Sequence, residues 1–134
     1  MRQEFILPDL ENLPDVLSLA VQGAIPDFPG VERVRTLARQ FAATALREYC
    51  ACHPRQPVKM AVERTGSTAR LEVTYTCMPH PCAPELLADR QPAYVESLQL
   101  IREAADGYGL DSWNGIKAAQ SQTWWALVNE ALYA

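Results

Sequence analysis

The strongest constraint in this chain is a change of hydrophobic period. Val58, Met60 and Val62 alternate with Lys59, Ala61 and Glu63, and Leu71, Val73, Tyr75 and Cys77 alternate with Arg70, Glu72, Thr74 and Thr76. Period-two alternation is the mark of a half-buried strand. Between the two runs stands Thr65-Gly66-Ser67-Thr68, and a glycine at the first central position of a two-residue loop suits a type II′ hairpin turn. That turn fixes the register. Thr65 faces Thr68, Val62 faces Leu71, Met60 faces Val73 and Val58 faces Tyr75. Glu63 then meets Arg70 on the opposite face. A lone two-stranded hairpin is marginal in water, so it must lie on helices. It can gain a third strand from the apolar N-terminal segment, residues 4–7, or from another chain.

The helices come from the rest of the pattern. Pro14 suits the first turn of a helix that carries Val16, Leu17, Ala20 and Val21 and stops at Gly23. A longer helix follows, with Val31, Val34, Ala38, Phe41, Ala45, Tyr49 and Cys52 on one stripe, ended by Pro54. Pro79, Pro81 and Pro84 keep the stretch after the hairpin irregular, and one helical turn runs from Pro84 to Leu87. Pro92 opens a helix with Val95, Leu98, Ile101 and Ala105 that Gly107 and Gly109 end. Asp111 or Ser112 caps a last helix whose stripe is Trp113, Ile116, Trp124, Leu127 and Ala131, widened by Val128 and Leu132. The expected fold is a single α+β domain over residues 1–134, with four main helices packed on a two-stranded antiparallel hairpin.

Bulk properties narrow the class. The 134 residues suit one domain, and 49% are hydrophobic, enough for one core. Twelve basic against 16 acidic residues leave a net charge of −4. That balance argues against nucleic acid or an anionic membrane as partner, because phosphate binding needs clustered positive charge. No apolar run reaches membrane-spanning length, and the acidic, proline-bearing start is no signal peptide. The expected compartment is therefore the cytoplasm, where thiols stay reduced.

All four cysteines and both histidines fall in two short stretches. Cys50, Cys52 and His53 lie just before the hairpin; Cys77, His80 and Cys82 lie at its end and beyond. The register sets Cys77 opposite Gln56, so the two clusters converge at the open end of the hairpin, with a Cys77 sulfur within about 10 Å of Cys50 or Cys52. Three uses fit: a structural zinc held by four of the six groups, ordinary buried thiols, or a disulfide. Catalysis is poorly provided for. The string His80-Pro81-Cys82-Ala83-Pro84-Glu85 lacks the second cysteine of a zinc deaminase. Cys50 and Cys52 end a helix, where the dipole raises a thiol pKa instead of lowering it. A Cys82–His53 pair has no orienting acid or oxyanion motif beside it.

The helix–strand–turn–strand run over 31–77 resembles the middle of a GHKL-type ATPase domain in element order. That family places an Asn on the helix and Asp-x-Gly after the strands to hold Mg-ATP. "REYCACHP" and "TCMPHP" stand at those places here, so the resemblance is set aside. No phosphate-binding glycine loop occurs elsewhere.

Trp124 and Trp125 are adjacent and cannot both face the centre of one helix stripe. Trp124 is assigned to the core. Trp125, with Tyr133 nearby, is assigned to a partner-binding margin together with Phe5 and Leu7 of the N-terminal arm. The expected function is that of a small non-enzymatic protein-interaction or regulatory protein. Its expected partner is another protein or a second copy of itself, most simply in a homodimer. The alternative is a small metal- or thiol-dependent enzyme that uses the Cys/His cluster.

Overall fold

The structure is a computed structural model and describes residues 2–7, 12–51, 58–77, 96–114 and 120–130. Strand β1 is Arg2–Leu7, helix α1 Leu13–Ala24, helix α2 Val31–Ala51, strand β2 Val58–Thr65, strand β3 Thr68–Cys77, strand β4 Gly107–Asn114 and strand β5 Gln120–Asn129. A third helix, α3, covers 96–104. The strands form one five-stranded sheet in the order β1-β2-β3-β5-β4, and every neighbouring pair is antiparallel.

The hairpin has the expected register: Thr65 pairs with Thr68, Glu63 with Arg70, Val62 with Leu71 and Met60 with Val73. Gly66 has a φ of 61°, a value that glycine adopts without cost, and Ser67 is not in the positive region. That combination is the one a type II′ turn requires. The N-terminal segment is the third strand, with Phe5 opposite Met60 and Leu7 opposite Val58.

The rest of the expected architecture is corrected. The fold is α+β, but it has a five-stranded sheet where a hairpin was expected, and three helices among the described residues. The expected last helix is strand β5, and its expected cap at Asp111 or Ser112 lies inside β4. Two physical reasons explain the difference. Over 123–128 apolar or β-favouring residues occupy consecutive positions, so a helical stripe and a strand alternation fit equally well. Tertiary pairing then decides, because β3 needs a partner on its second side. Gly107 and Gly109 are not a helix stop; they sit in β4 opposite Leu127 and Trp125.

The core lies between the helices and one face of the sheet. Leu13, Leu17 and Val21 of α1, Val34, Leu37, Phe41 and Ala45 of α2 and Ile101 of α3 bury against Met60, Val62, Leu71, Val73, Tyr75, Trp124, Ala126 and Val128. Trp124 is the hinge of this packing. Its ring stacks on Phe41 with centroids 5.7 Å apart. Its Nε1 donates to the Tyr75 hydroxyl at 3.1 Å, which in turn donates to Gln122 Oε1 at 3.1 Å. The buried indole and phenol are thereby satisfied.

At the opposite end of the sheet Arg33 of α2 holds the corner where α3 meets β4. Its Nε donates to the Ala104 carbonyl at 3.0 Å. Its other nitrogens lie 3.2 Å from Asp106 and 3.3 Å from Glu130. No described helix is long and apolar enough to cross a membrane.

Candidate functional site

Alternation along each strand sends every second side chain away from the helices, and no described element covers that outer face. Antiparallel pairing aligns these side chains into rows across the sheet. One row reads Glu4, Ala61, Glu72, Trp125, Gly109; the next reads Arg2, Glu63, Arg70, Leu127, Gly107.

The charges on this face are tied together. The Arg2 Nε donates to Glu4 Oε1 at 3.0 Å, and one of its terminal nitrogens donates to Glu72 Oε2 at 2.9 Å. The Arg70 Nε donates to the other Glu72 oxygen at 2.9 Å. Arg2 thus reaches from β1 to β3 over the small side chain of Ala61. Burial pushes the Glu72 carboxyl upward, but the hydrogen bonds from Arg2 and Arg70 outweigh it, and the net pKa is lowered. The hydrogen bond to Glu72, then that to Glu4, raises the pKa of Arg2.

Trp125 lies flat on the same face. The Arg70 guanidinium stands 5.1 Å from its ring centroid, a cation–π contact. A Cβ at Gly109 would stand 2.6 Å from the indole, so the ring rests directly on the glycine backbone of edge strand β4. An aromatic covering a cross-strand glycine restores packing that the missing side chain forfeits. Trp125 stays half-buried, whereas Trp124 is 2% exposed.

Strand β1 forms the other edge. Phe5 and Leu7, expected at the partner-binding margin, are half-buried and pack on the core from the helix side. The outward apolar group between them is Ile6, 64% exposed. The alternation of the hairpin, extended to β1, carries that signal: Phe5 faces Met60, so Ile6 must face outward. Beside Ile6 the small Ala61 leaves a groove of about 470 Å³, walled by Glu4, Lys59, Glu72 and Thr74.

The Cys/His residues fall mostly outside the described residues: Cys52, His53, His80 and Cys82, and Tyr133 as well. Cys50 lies in the last turn of α2, and Cys77 ends β3, paired with Gln120. The expected convergence of the two clusters falls on side chains outside the described residues. Among the described residues no group of three or more His, Cys, Asp or Glu side chains is placed to hold a metal ion.

Two measurements check this surface. In the wild type, Gly109→Ala lowers unfolding stability by about 1–3 kcal/mol through overpacking against the indole. In a Trp125→Ala background the same change is neutral or stabilising, since alanine loses less chain entropy than glycine; the difference is read from a denaturant double-mutant cycle. The second concerns pH. Because the folded-state pKa of Glu72 is lowered, its contribution is fully present above the ordinary value of 4.5 and is lost as pH falls through the folded value. Glu72→Gln is therefore less stable than wild type at pH 7, and the gap between their urea midpoints closes below pH 4.5.

No family model matches the chain, and no curated protein matches it. Among solved structures it is similar to a chain in the crystal structure of the SiaB-SiaC complex from Pseudomonas aeruginosa. The TM-score is 0.66 and the identity 9%, over 94% of this chain and 89% of that one. At that identity the likeness is one of fold.

Proposed function

We propose that this chain is a non-enzymatic protein-binding module of regulatory type, which takes an extended segment of its partner along β1 and the adjoining open face of the sheet. The observation that carries the reading is the one-sidedness of the fold: the described helices pack on one face, and the other ends at an edge strand with Ile6 64% exposed beside a groove. A strand edge with a described neighbour on one side only is a template for strand addition, in which backbone hydrogen bonds give affinity and alternate side-chain pockets give specificity. Arg2 and Glu4 set the charge register that an added strand must match, which limits indiscriminate pairing. The similar solved chain belongs to a complex of two proteins, and that supports the use of this fold in protein partnership.

The test begins with the immobilised full chain, used to recover its partner from extracts of the source cell, followed by binding measurements on the two purified proteins. Ile6→Glu weakens the complex about tenfold or more, while Leu19→Lys, on the helix layer, leaves the affinity within about twofold. Equal affinity of wild type and Ile6→Glu would overturn the reading.

A further inference from the structure

Strand β1 is polar at one end and apolar at the other: Arg2, Gln3 and Glu4 are followed by Phe5, Ile6 and Leu7. Exposure alternates along it. Arg2, Glu4 and Ile6 are exposed, and Gln3, Phe5 and Leu7 are half-buried on the helix side. Antiparallel pairing turns the backbone groups of alternate residues towards β2 and those of the others towards the free side. Among the described residues no strand lies on that side, since β1 heads the order β1-β2-β3-β5-β4. An added strand therefore meets a charged half and an apolar half in a fixed sequence.

The charged half is not balanced. Arg2 lies 3.0 Å from Glu4, 2.9 Å from Glu72 and 4.0 Å from Glu63. Arg70 serves Glu72 and stands opposite Glu63. Two guanidinium groups thus face three carboxylates. Glu4 is the outermost of the three, and its side chain is 70% exposed, against 41% for Glu63 and 21% for Glu72. Lys59 stands on the diagonal from Glu4, but among the described residues no ion pair joins it to any of the three. The surplus carboxylate is presented at the free edge, one row from the exposed Ile6.

We propose that the segment added to β1 belongs to a different protein and runs antiparallel to β1 as three apolar residues followed directly by a lysine or arginine. The apolar residues stand opposite Leu7, Ile6 and Phe5, and the basic one stands opposite Glu4. This rests on the reading of β1 as an edge for strand addition and names what that edge selects. Apolar pairs and opposite-charge pairs are the cross-strand pairs that stabilise a sheet. The methylene stem of the basic residue covers part of Ile6 while its charge meets the carboxylate. Run parallel with its basic residue on Glu4, the same segment would set its apolar residues beside Arg2 and Gln3 instead.

A second copy of this chain does not fit the edge. A two-fold axis that continues the sheet keeps each face on its own side, so a residue of one β1 opposes only residues of the same parity in the other. Two such registers pair five residues. One centres on Glu4 and sets the two Glu4 carboxylates against each other, with Arg2 opposite Ile6. The other centres on Phe5 and sets Glu4 opposite Ile6. The remaining registers pair three residues or fewer. Like charges opposite one another, and a charge set against an apolar group, both destabilise the pairing. The edge thus discriminates against its own copy and in favour of a basic segment.

Titration of the full chain with two synthetic peptides tests it. One carries Val-Val-Val-Lys-Thr-Thr and the other Val-Val-Val-Glu-Thr-Thr, each between Gly-Ser tails and labelled for fluorescence anisotropy. At about 50 mM salt wild type binds the lysine peptide about fivefold or more tighter than the glutamate peptide, and the gap narrows as salt rises to about 1 M. Glu4→Gln brings the two affinities together, and Glu4→Lys reverses their order. Ile6→Glu weakens both. Equal affinities in wild type, or an order unchanged in both Glu4 variants, would overturn the inference, while weakening of both peptides by Ile6→Glu would still uphold strand addition. Failure of both peptides to bind wild type at about 1 mM would overturn strand addition and the inference together. A wild-type dimer in light scattering that Ile6→Glu abolishes would overturn the exclusion of a second copy, and with it the inference.

Discussion

The pairing of β5 with β3 is the contact on which the rest of the structure depends. It runs from Thr68 opposite Asn129 to Cys77 opposite Gln120, so it uses the whole length of β3. Without it, β3 would be an edge and the helices would have a three-stranded sheet to cover. With it, Val73 stands beside Trp124, and the Trp124 ring reaches Phe41 of α2 and the hydroxyl of Tyr75. One strand thereby joins the hairpin, the long helix and the sheet edge β4 into a single core.

The same strand also makes the two faces different. Consecutive strand residues point to opposite sides, so the Trp124-Trp125 pair divides between them. Trp124 is sealed in the core. Trp125 lies on the outer face, held by Arg70 and resting on Gly109. The cross-strand chain from Glu4 through Arg2, Glu72 and Arg70 to Trp125 orders that face without hiding it. A surface prepared in this way loses little side-chain entropy when a partner docks. The proposed binding role rests on this face.

What could be read in the sequence was what local chemistry decides. Thr65-Gly66-Ser67-Thr68 dictates a turn, the turn dictates a register, and the register follows for every pair from Thr65–Thr68 to Met60–Val73. The stripe of α2 was equally plain, since Arg33, Arg35 and Arg39 fall off an otherwise apolar face. Strands β4 and β5 were hidden because their evidence is not local. Gly107 and Gly109 look like a helix stop until the indole that covers them is known. Thr123 through Val128 satisfies two periods at once, and only the unfilled side of β3 settles which one is used. On the outer face, the aromatic residue Trp125 belongs to strand β5 and not to the expected helix. The phase of β2 turns Phe5 and Leu7 inward and Ile6 outward, a distinction visible only once β1 is paired with β2.

Trp124 and Trp125 stand on opposite faces of one strand, and the one-sidedness of the sheet follows from that division. In a Trp113→Phe background, Trp124→Phe leaves Trp125 as the sole indole, and Trp125→Phe leaves Trp124. Acrylamide quenching of the two proteins compares the faces directly. The structure predicts that Trp125 fluorescence is quenched readily and that Trp124, 2% exposed, is shielded with a blue-shifted emission. Equal quenching of the two indoles, or a shielded Trp125 beside an accessible Trp124, would contradict the one-sided sheet and the binding surface proposed on it.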